Sequence, residues 1–167
     1  MNKKVMVGMS GGVDSAVSAY LLLKNGYEPT GVNCRFFDNG DAFIKEKTCC
    51  SLEDSKDARS VAYKLGIPFY VFNFTDDFRE KVIGNFIEVY TEGGTPNPCI
   101  ECNRFLKFDK LLKRALELDH SFVATGHYAR NEFDEISGRY LLKKGLDETK
   151  DQSYVLYMLT QFQLEHT

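Results

Sequence analysis

Residues 5–15 read Val-Met-Val-Gly-Met-Ser-Gly-Gly-Val-Asp-Ser and leave the chain few choices. A short apolar run breaks into glycines, hydroxyls and a carboxylate and then takes up helical spacing, so a strand, a tight turn and a helix must follow in quick succession. Gly8, Gly11 and Gly12 let a ligand approach the main chain, and successive N–H groups converge on one point. A helix starting near Val13 aims its unpaired N–H groups and positive dipole end at that point, and Ser10 and Ser15 add hydroxyl donors. The expected guest is an anion, above all a phosphate. The Walker pattern needs a lysine after its last glycine and the dinucleotide pattern needs Gly-x-Gly-x-x-Gly; this turn has neither.

The rest of the chain alternates strand and helix. Asp14 to Lys24 predicts a helix with Val13, Val17, Tyr20 and Leu21 facing the core, closed by Asn25-Gly26. Glu28 to Cys34 reads as a second strand, and Arg35 to Thr48 as a polar connection. Ser51 to Asp54 has the form of a capping box, opening a helix with Ala58, Val61, Ala62 and Leu65 on one face. Phe69 to Phe74, aromatic, β-branched and uncharged, suits a buried strand, and Thr75 caps a helix carrying Phe78, Val82, Phe86, Val89 and Tyr90. A helix is expected from Arg104 to about Leu118, a strand from Ser121 to Thr125, a β-hairpin from Tyr128 to Lys143, and an apolar helical piece from Tyr154 to Leu159. This order predicts an α/β fold, a parallel twisted sheet with helices on both faces and a β-hairpin near the C-terminus. Ligands of such sheets sit beyond the carboxyl ends of the strands, so the glycine turn, Cys34 and Gly126-His127 should share one rim.

Composition narrows the setting. The 167 residues suit one domain, and 43% hydrophobic with 27% charged residues is ordinary for a globular chain. With 21 basic against 24 acidic residues, the net charge of -3 supplies no overall field toward nucleic acid. No stretch approaches the apolar length of a membrane span, and Met1-Asn2-Lys3-Lys4 leads into a strand rather than a signal peptide, so a cytoplasmic protein with no membrane partner is expected.

Five cysteines, an odd number, do not form a secreted disulfide framework. Cys99 and Cys102 fall in Thr-Pro-Asn-Pro-Cys-Ile-Glu-Cys-Asn, residues 95–103. Pro96 and Pro98 stiffen the approach and forbid helix, so the thiols should be presented from a loop at the mouth of the following helix, where a thiolate is favoured. The same cysteines could instead serve a zinc site built from Cys49, Cys50, Cys99 and Cys102, or form an inert buried pair.

Ser-Gly-Gly-Val-Asp-Ser after a strand resembles the fingerprint of the N-type ATP pyrophosphatases, which split ATP between its α and β phosphates. Taken with Thr-Pro-Asn-Pro before Cys102-Asn103, Ala-Thr-Gly-His-Tyr at 124–128 and Lys-Asp-Gln-Ser-Tyr at 150–154, the chain resembles the tRNA-specific 2-thiouridylases. The resemblance implies an adenine nucleotide alpha hydrolase-like (HUP, Rossmann-like) domain over 1–167. It also implies that the family's central and C-terminal tRNA-binding domains and a further catalytic cysteine lie beyond this chain, which would make it an N-terminal fragment.

The implied reaction is 2-thiolation of a wobble uridine in tRNA: ATP adenylates the 2-oxygen, and sulfur carried as a cysteine persulfide displaces AMP. By the same resemblance Gly8, Met9, Ser10, Gly11, Gly12, Val13, Asp14 and Ser15, with Cys34 and Gly126, would bind ATP, Asp14 acting through Mg2+ or by ordering. Cys102 would be the nucleophile, supplied by a persulfide sulfur-donor protein. Asn97, Pro98 and Cys99 would line the flipped base, as extrusion requires, and His127, Lys150, Asp151 and Gln152 would contact tRNA. By themselves His127 reads as a strand-end structural histidine, and 150–152 as a solvated turn with a cap at Asp151. Many members of the family carry aspartate at the Cys99 position, and two cysteines there raise the prospect of an iron–sulfur cluster held by Cys99 and Cys102. Two further functions would suit the same glycine turn: sulfur transfer at a different tRNA position by a member of the same pyrophosphatase group, and nucleotide or tRNA binding without turnover.

Overall fold

The computed structural model describes residues 3–37 and 52–167. Strands β1 (Lys4–Gly8), β2 (Glu28–Arg35), β3 (Phe69–Asn73) and β4 (Phe122–Ala124) form a parallel sheet in the order β3-β2-β1-β4. An antiparallel hairpin follows, β5 (Ala129–Asp134) with β6 (Arg139–Lys144), pairing Ala129 with Lys144 and Asp134 with Arg139. Both sheets are those expected from the strand and helix order. Cys49, Cys50 and the Ser51 cap lie outside the described residues.

Alternation along β1 divides the core. Met6 faces one side with Val32, Cys34, Val123, Leu106, Leu111, Leu112 and Ala115. Val5 and Val7 face the other, with Ala19, Ala58 and Ala62 of α1 (Val13–Lys24) and α2 (Leu52–Leu65). Helices therefore cover both faces, and each fully buried Val or Leu among them contributes about 1.5–3 kcal/mol.

Three expectations are corrected. Helix α1 presents its small side to the sheet: Ser15 and Ala19 are buried, whereas Val13, Val17, Tyr20 and Leu21 are exposed, Val13 to 72%. The glycine turn sets this orientation by folding Ser15 back onto its own backbone. Strand β3 is an edge strand, paired on one side, and leaves Tyr70 and Val71 exposed; its apolar composition signals pairing rather than double-sided burial.

The proline-rich approach is the third. Pro98 does not exclude a helix but begins one, α5 (Pro98–Glu101), because its fixed φ and missing N–H are tolerated at the first helical position. Asn97 caps it by accepting the Cys99 N–H at 3.1 Å. The run continues through a π-helical stretch, Cys102–Lys110, into α6 (Leu111–Glu117), so both thiols are helical and the helix starts six residues before Arg104.

The run that begins at Thr75 is likewise composite: α3 (Thr75–Phe78), a π-helical stretch Arg79–Ile83, and α4 (Gly84–Thr91). The Tyr154–Leu159 piece reduces to a 3-10 turn at Ser153–Val155. A final helix, α7 (Gln161–Glu165), is additional to the expected elements, although Thr160 and Gln163 form a capping box. Amides lace α7 to the hairpin: Gln161 bonds both the N–H and the C=O of Tyr140 at 2.9 Å, and Asn131 donates to the Leu164 carbonyl at 2.6 Å.

Candidate functional site

The glycine turn is shaped from within. Ser15, 5% exposed, accepts the Ser10 N–H at 3.3 Å and donates to the Gly12 carbonyl at 2.9 Å, so its hydroxyl closes the turn rather than reaching outward. The Met9 side chain is buried in the core, its N–H bonds the Val32 carbonyl at 2.8 Å, and its own carbonyl accepts from buried Asn33 at 2.9 Å. These bonds hold the turn and leave its outer edge to Ser10, Gly12, Val13 and Asp14, all exposed. Among the described residues no side chain caps α1: Gly12 occupies the cap, so the first N–H groups of the helix face the turn. Gly11 has φ +83 and sits where a Cβ would lie 2.6 Å from the Asp54 carbonyl oxygen of α2.

The sheet order places this turn at the switch point. Strands β2 and β3 lie to one side of β1 and β4 to the other, and Gly8 pairs with Val32 while Val7 pairs with Ala124. Cys34 and Gly126 thus follow on the same rim as Met9, as expected. Cys34 is 6% exposed, so its main chain and not its thiol borders that rim. Gly126 lies against the first turn of α1, where a Cβ would come within 2.9 Å of the Asp14 carbonyl carbon and 3.0 Å of the Ser15 nitrogen.

Beyond Gly126, Tyr128 donates its phenol to Asp14 Oδ1 at 2.7 Å. Its N–H donates to Gln152 Oε1 at 3.0 Å, and its carbonyl accepts the Gln152 N–H at 2.8 Å. Lys150 Nζ stands 5.5 Å from its ring. Asp151 accepts from the N–H groups of Gly145 and Ser153 and from the Ser153 hydroxyl, bonds that hold its carboxylate below its ordinary value. Residues 150–152 are therefore folded onto Tyr128 and reach the glycine turn through it.

His127 takes a different course. Its Nδ1 pairs with the Thr125 hydroxyl at 2.7 Å, and its ring lies 5.9 Å from Phe108. It lines a cavity of about 160 Å³ together with Leu142, Leu156 and Asn131. Burial pushes its imidazole down to about 4, and the Lys107 ammonium acts in the same direction. The ring is therefore neutral near pH 7 and offers no positive charge to a phosphate. The unfolded state binds its proton near 6.5 and the folded state only near 4, so the unfolded state holds more protons in between.

Stability from this group is full above about pH 6.5 and declines as pH falls toward 4, by up to about 3 kcal/mol. The urea midpoint should drop between pH 7 and 4.5, and His127→Gln should flatten that decline. Parallel profiles for the two proteins would place the loss on other groups.

The cysteines form the other half of the site. Asn97, Pro98 and Cys99 are exposed at the start of α5, on the face of the sheet opposite α1. Cys102, half-buried, packs against the core cluster that contains Cys34. Asn103, 1% exposed, donates to the Val155 carbonyl at 3.1 Å, while its Oδ1 is buried with no partner among the described residues. The segment 145–155 thus touches both halves, through Gln152 to Tyr128 and through Val155 to Asn103. Among the described residues no three His, Cys, Asp or Glu side chains are placed to hold a metal ion, and no helix is long and apolar enough to cross a membrane. Tyr128 and Asn103 both stand in recognisable motifs, but a phenol or an amide has no sequence periodicity that reveals which remote group it meets.

A family model described as the tRNA methyl transferase HUP domain matches residues 3–167. A tRNA-specific 2-thiouridylase of Clostridioides difficile (strain 630) is 58% identical over 167 residues, covering 100% of this chain and 46% of that protein. One from Caldanaerobacter subterraneus subsp. tengcongensis is 58% identical over 167 residues, 99% of this chain and 46% of its own length. One from Clostridium acetobutylicum is 57% identical over 169 residues, 100% of this chain and 47% of its own length. The chain spans about half the length of the curated relatives it matches.

Proposed function

The chain belongs to the tRNA methyl transferase HUP domain family, and from that premise we propose that it performs the ATP-dependent activation in 2-thiolation of a wobble uridine in tRNA. The observation that carries this reading is the N-terminus of α1, capped by no side chain among the described residues, closed into a turn by Ser15 and set at the switch point of a parallel sheet. Such an arrangement suits a leaving pyrophosphate, since preorganised N–H groups stabilise the charge that develops on it.

In the proposed reaction the uridine 2-oxygen attacks the α-phosphorus of ATP and pyrophosphate departs into the turn of residues 8–15. The terminal sulfur of a persulfide on Cys102 then attacks carbon 2 and AMP leaves; a second thiol, the further catalytic cysteine that the resemblance implies, attacks the inner sulfur of Cys102, so the S–S bond breaks, the 2-thiolated base departs and a disulfide to Cys102 remains. Cys102 would accept that sulfur from a donor protein. Asn97, Pro98 and Cys99, exposed beside it, would meet the extruded base. Lys150 to Gln152 would meet the tRNA, and His127 would act as a neutral partner or a shape element. A tRNA substrate fits a cytoplasmic setting.

Mg2+ fits this donor set, because it is commonly held by one carboxylate together with substrate phosphates, and Asp14 is the exposed carboxylate on the turn. When bound, it would neutralise phosphate charge. An iron–sulfur cluster is not fitted in the same way by the described residues: it takes four ligands, and among them Cys99 and Cys102 supply two from one helix. No step of the proposed reaction runs through a cluster.

ATP with Mg2+ at about a hundred times its Kd should stabilise the fold by about 2.7 kcal/mol and raise Tm by roughly 5–10 °C. Asp14→Ala should remove most of that shift. A wild-type melting curve unmoved by ATP and Mg2+ would sink the reading.

A further inference from the structure

We propose that Tyr128 is the positioning residue for Asp14, and that through it the segment 150–152 governs how the glycine turn receives the metal-bound triphosphate. The proposal rests on the reading of that turn as a nucleotide site and assigns a residue which that reading leaves without a task. Asp14 is exposed, so its carboxylate has little packing to hold one rotamer. The phenol at 2.7 Å supplies what packing does not. It occupies one lobe of Oδ1 and leaves Oδ2 and the remaining lone pairs for a ligand.

Tyr128 is itself held at the main chain. A reciprocal pair of bonds with Gln152, at 3.0 and 2.8 Å, fixes its backbone, and Gly145 packs so close that a Cβ there would lie 2.9 Å from the Tyr128 carbonyl oxygen. The Asp151 carboxylate locks the loop behind it through the Gly145 N–H at 2.7 Å. A phenol on so constrained a backbone has a restricted reach, and Asp14 Oδ1 lies within it. Whatever occupies Lys150, Asp151 and Gln152 therefore alters the orientation of Asp14, and by linkage nucleotide in the turn alters affinity at 150–152 to the same degree.

The test is a double-mutant cycle on ATP affinity, measured by calorimetry on the full chain with and without Mg2+. Tyr128→Phe, which keeps the ring and its contact with Lys150, should weaken binding of ATP with Mg2+ by about 5–20-fold, near the low end of the roughly 10–150-fold that a hydrogen bond to a charged group is worth, because the bond acts on the ligand only through Asp14. It should change metal-free ATP binding by less than about twofold, and in an Asp14→Asn background it should cost nothing further. Gln152→Ala should weaken metal-dependent binding in the same direction and should not add to Tyr128→Phe. A Tyr128→Phe loss that persists undiminished with Asp14→Asn, or equal losses with and without Mg2+, would make Tyr128 a merely structural residue. Wild-type affinity in Tyr128→Phe would overturn the proposal while leaving the nucleotide reading intact. No ATP binding by the wild-type chain would overturn both.

Discussion

Gly11→Ala is expected to lower the stability of the chain by about 2–5 kcal/mol and to abolish the protection given by ATP and Mg2+. Two costs combine. At φ +83 an L-residue suffers a left-handed penalty of roughly 1–2 kcal/mol. Its Cβ would also fall 2.6 Å from the Asp54 carbonyl oxygen and 2.8 Å from the Asp54 Cα, atoms of the α2 backbone that cannot rotate away. Overpacking of this kind costs about 1–3 kcal/mol. Relief requires the first turn of α2 to retreat or the glycine turn to open, and either displaces the N–H groups that face the phosphate site. Gly12→Ala is the control: φ is -76 there, and among the described residues an added Cβ meets only the Ser10 hydroxyl at 3.5 Å. Urea denaturation of both variants settles the matter, and similar losses would refute the steric account.

Cys102→Ser should reduce sulfur transfer by about a thousandfold or more, the scale on which removal of a covalent nucleophile acts. It should leave ATP-dependent stabilisation in place. The separation follows from where the parts stand. Cys102 packs on the face of the sheet opposite α1, and the bonds that shape the turn come from Ser15, Asn33 and Tyr128. Incubation with a persulfide donor followed by intact mass measurement reads the loading step directly. Cys99→Ser, altered at an exposed position one turn away, should still load. Loss of loading in both variants, or loss of nucleotide protection with Cys102→Ser, would contradict this division of labour.

How far these parts were legible in the sequence depended on whether their cause was local. The strand, turn and helix around Gly11, and the parallel sheet with its hairpin, follow from short-range patterns of spacing and turn chemistry. The orientation of α1 does not. Val13, Val17, Tyr20 and Leu21 have the helical spacing of a core face, yet the Ser15 bonds to Ser10 and Gly12 turn that face to solvent and set Ala19 on the sheet. A polar closure inside the turn outweighed hydrophobic periodicity.

Pro98 misled for a related reason: proline excludes helix interiors but opens helices, and only the Asn97 cap decides which applies. In the candidate site, the glycine turn, Gly126 and Cys102 were recognisable as motifs. Tyr128, Asn103 and the neutrality of His127 depend on groups brought close by the fold: Asp14, Val155, and the packing around Phe108.

The π-helical winding from Cys102 to Lys110 bears on how the thiol is aimed. Hydrogen bonds spanning five residues, in place of four, accommodate one residue more than an α-helix between the same two ends. Leu111, Leu112 and Ala115 anchor the far end in the core. Were the same residues wound as α-helix, those anchors would stay put, and everything before the stretch would rotate by about 100°. The azimuth of Cys102 is thus an arithmetic property of the helix, kept by the winding between thiol and anchor rather than by the chemical character of the residues there.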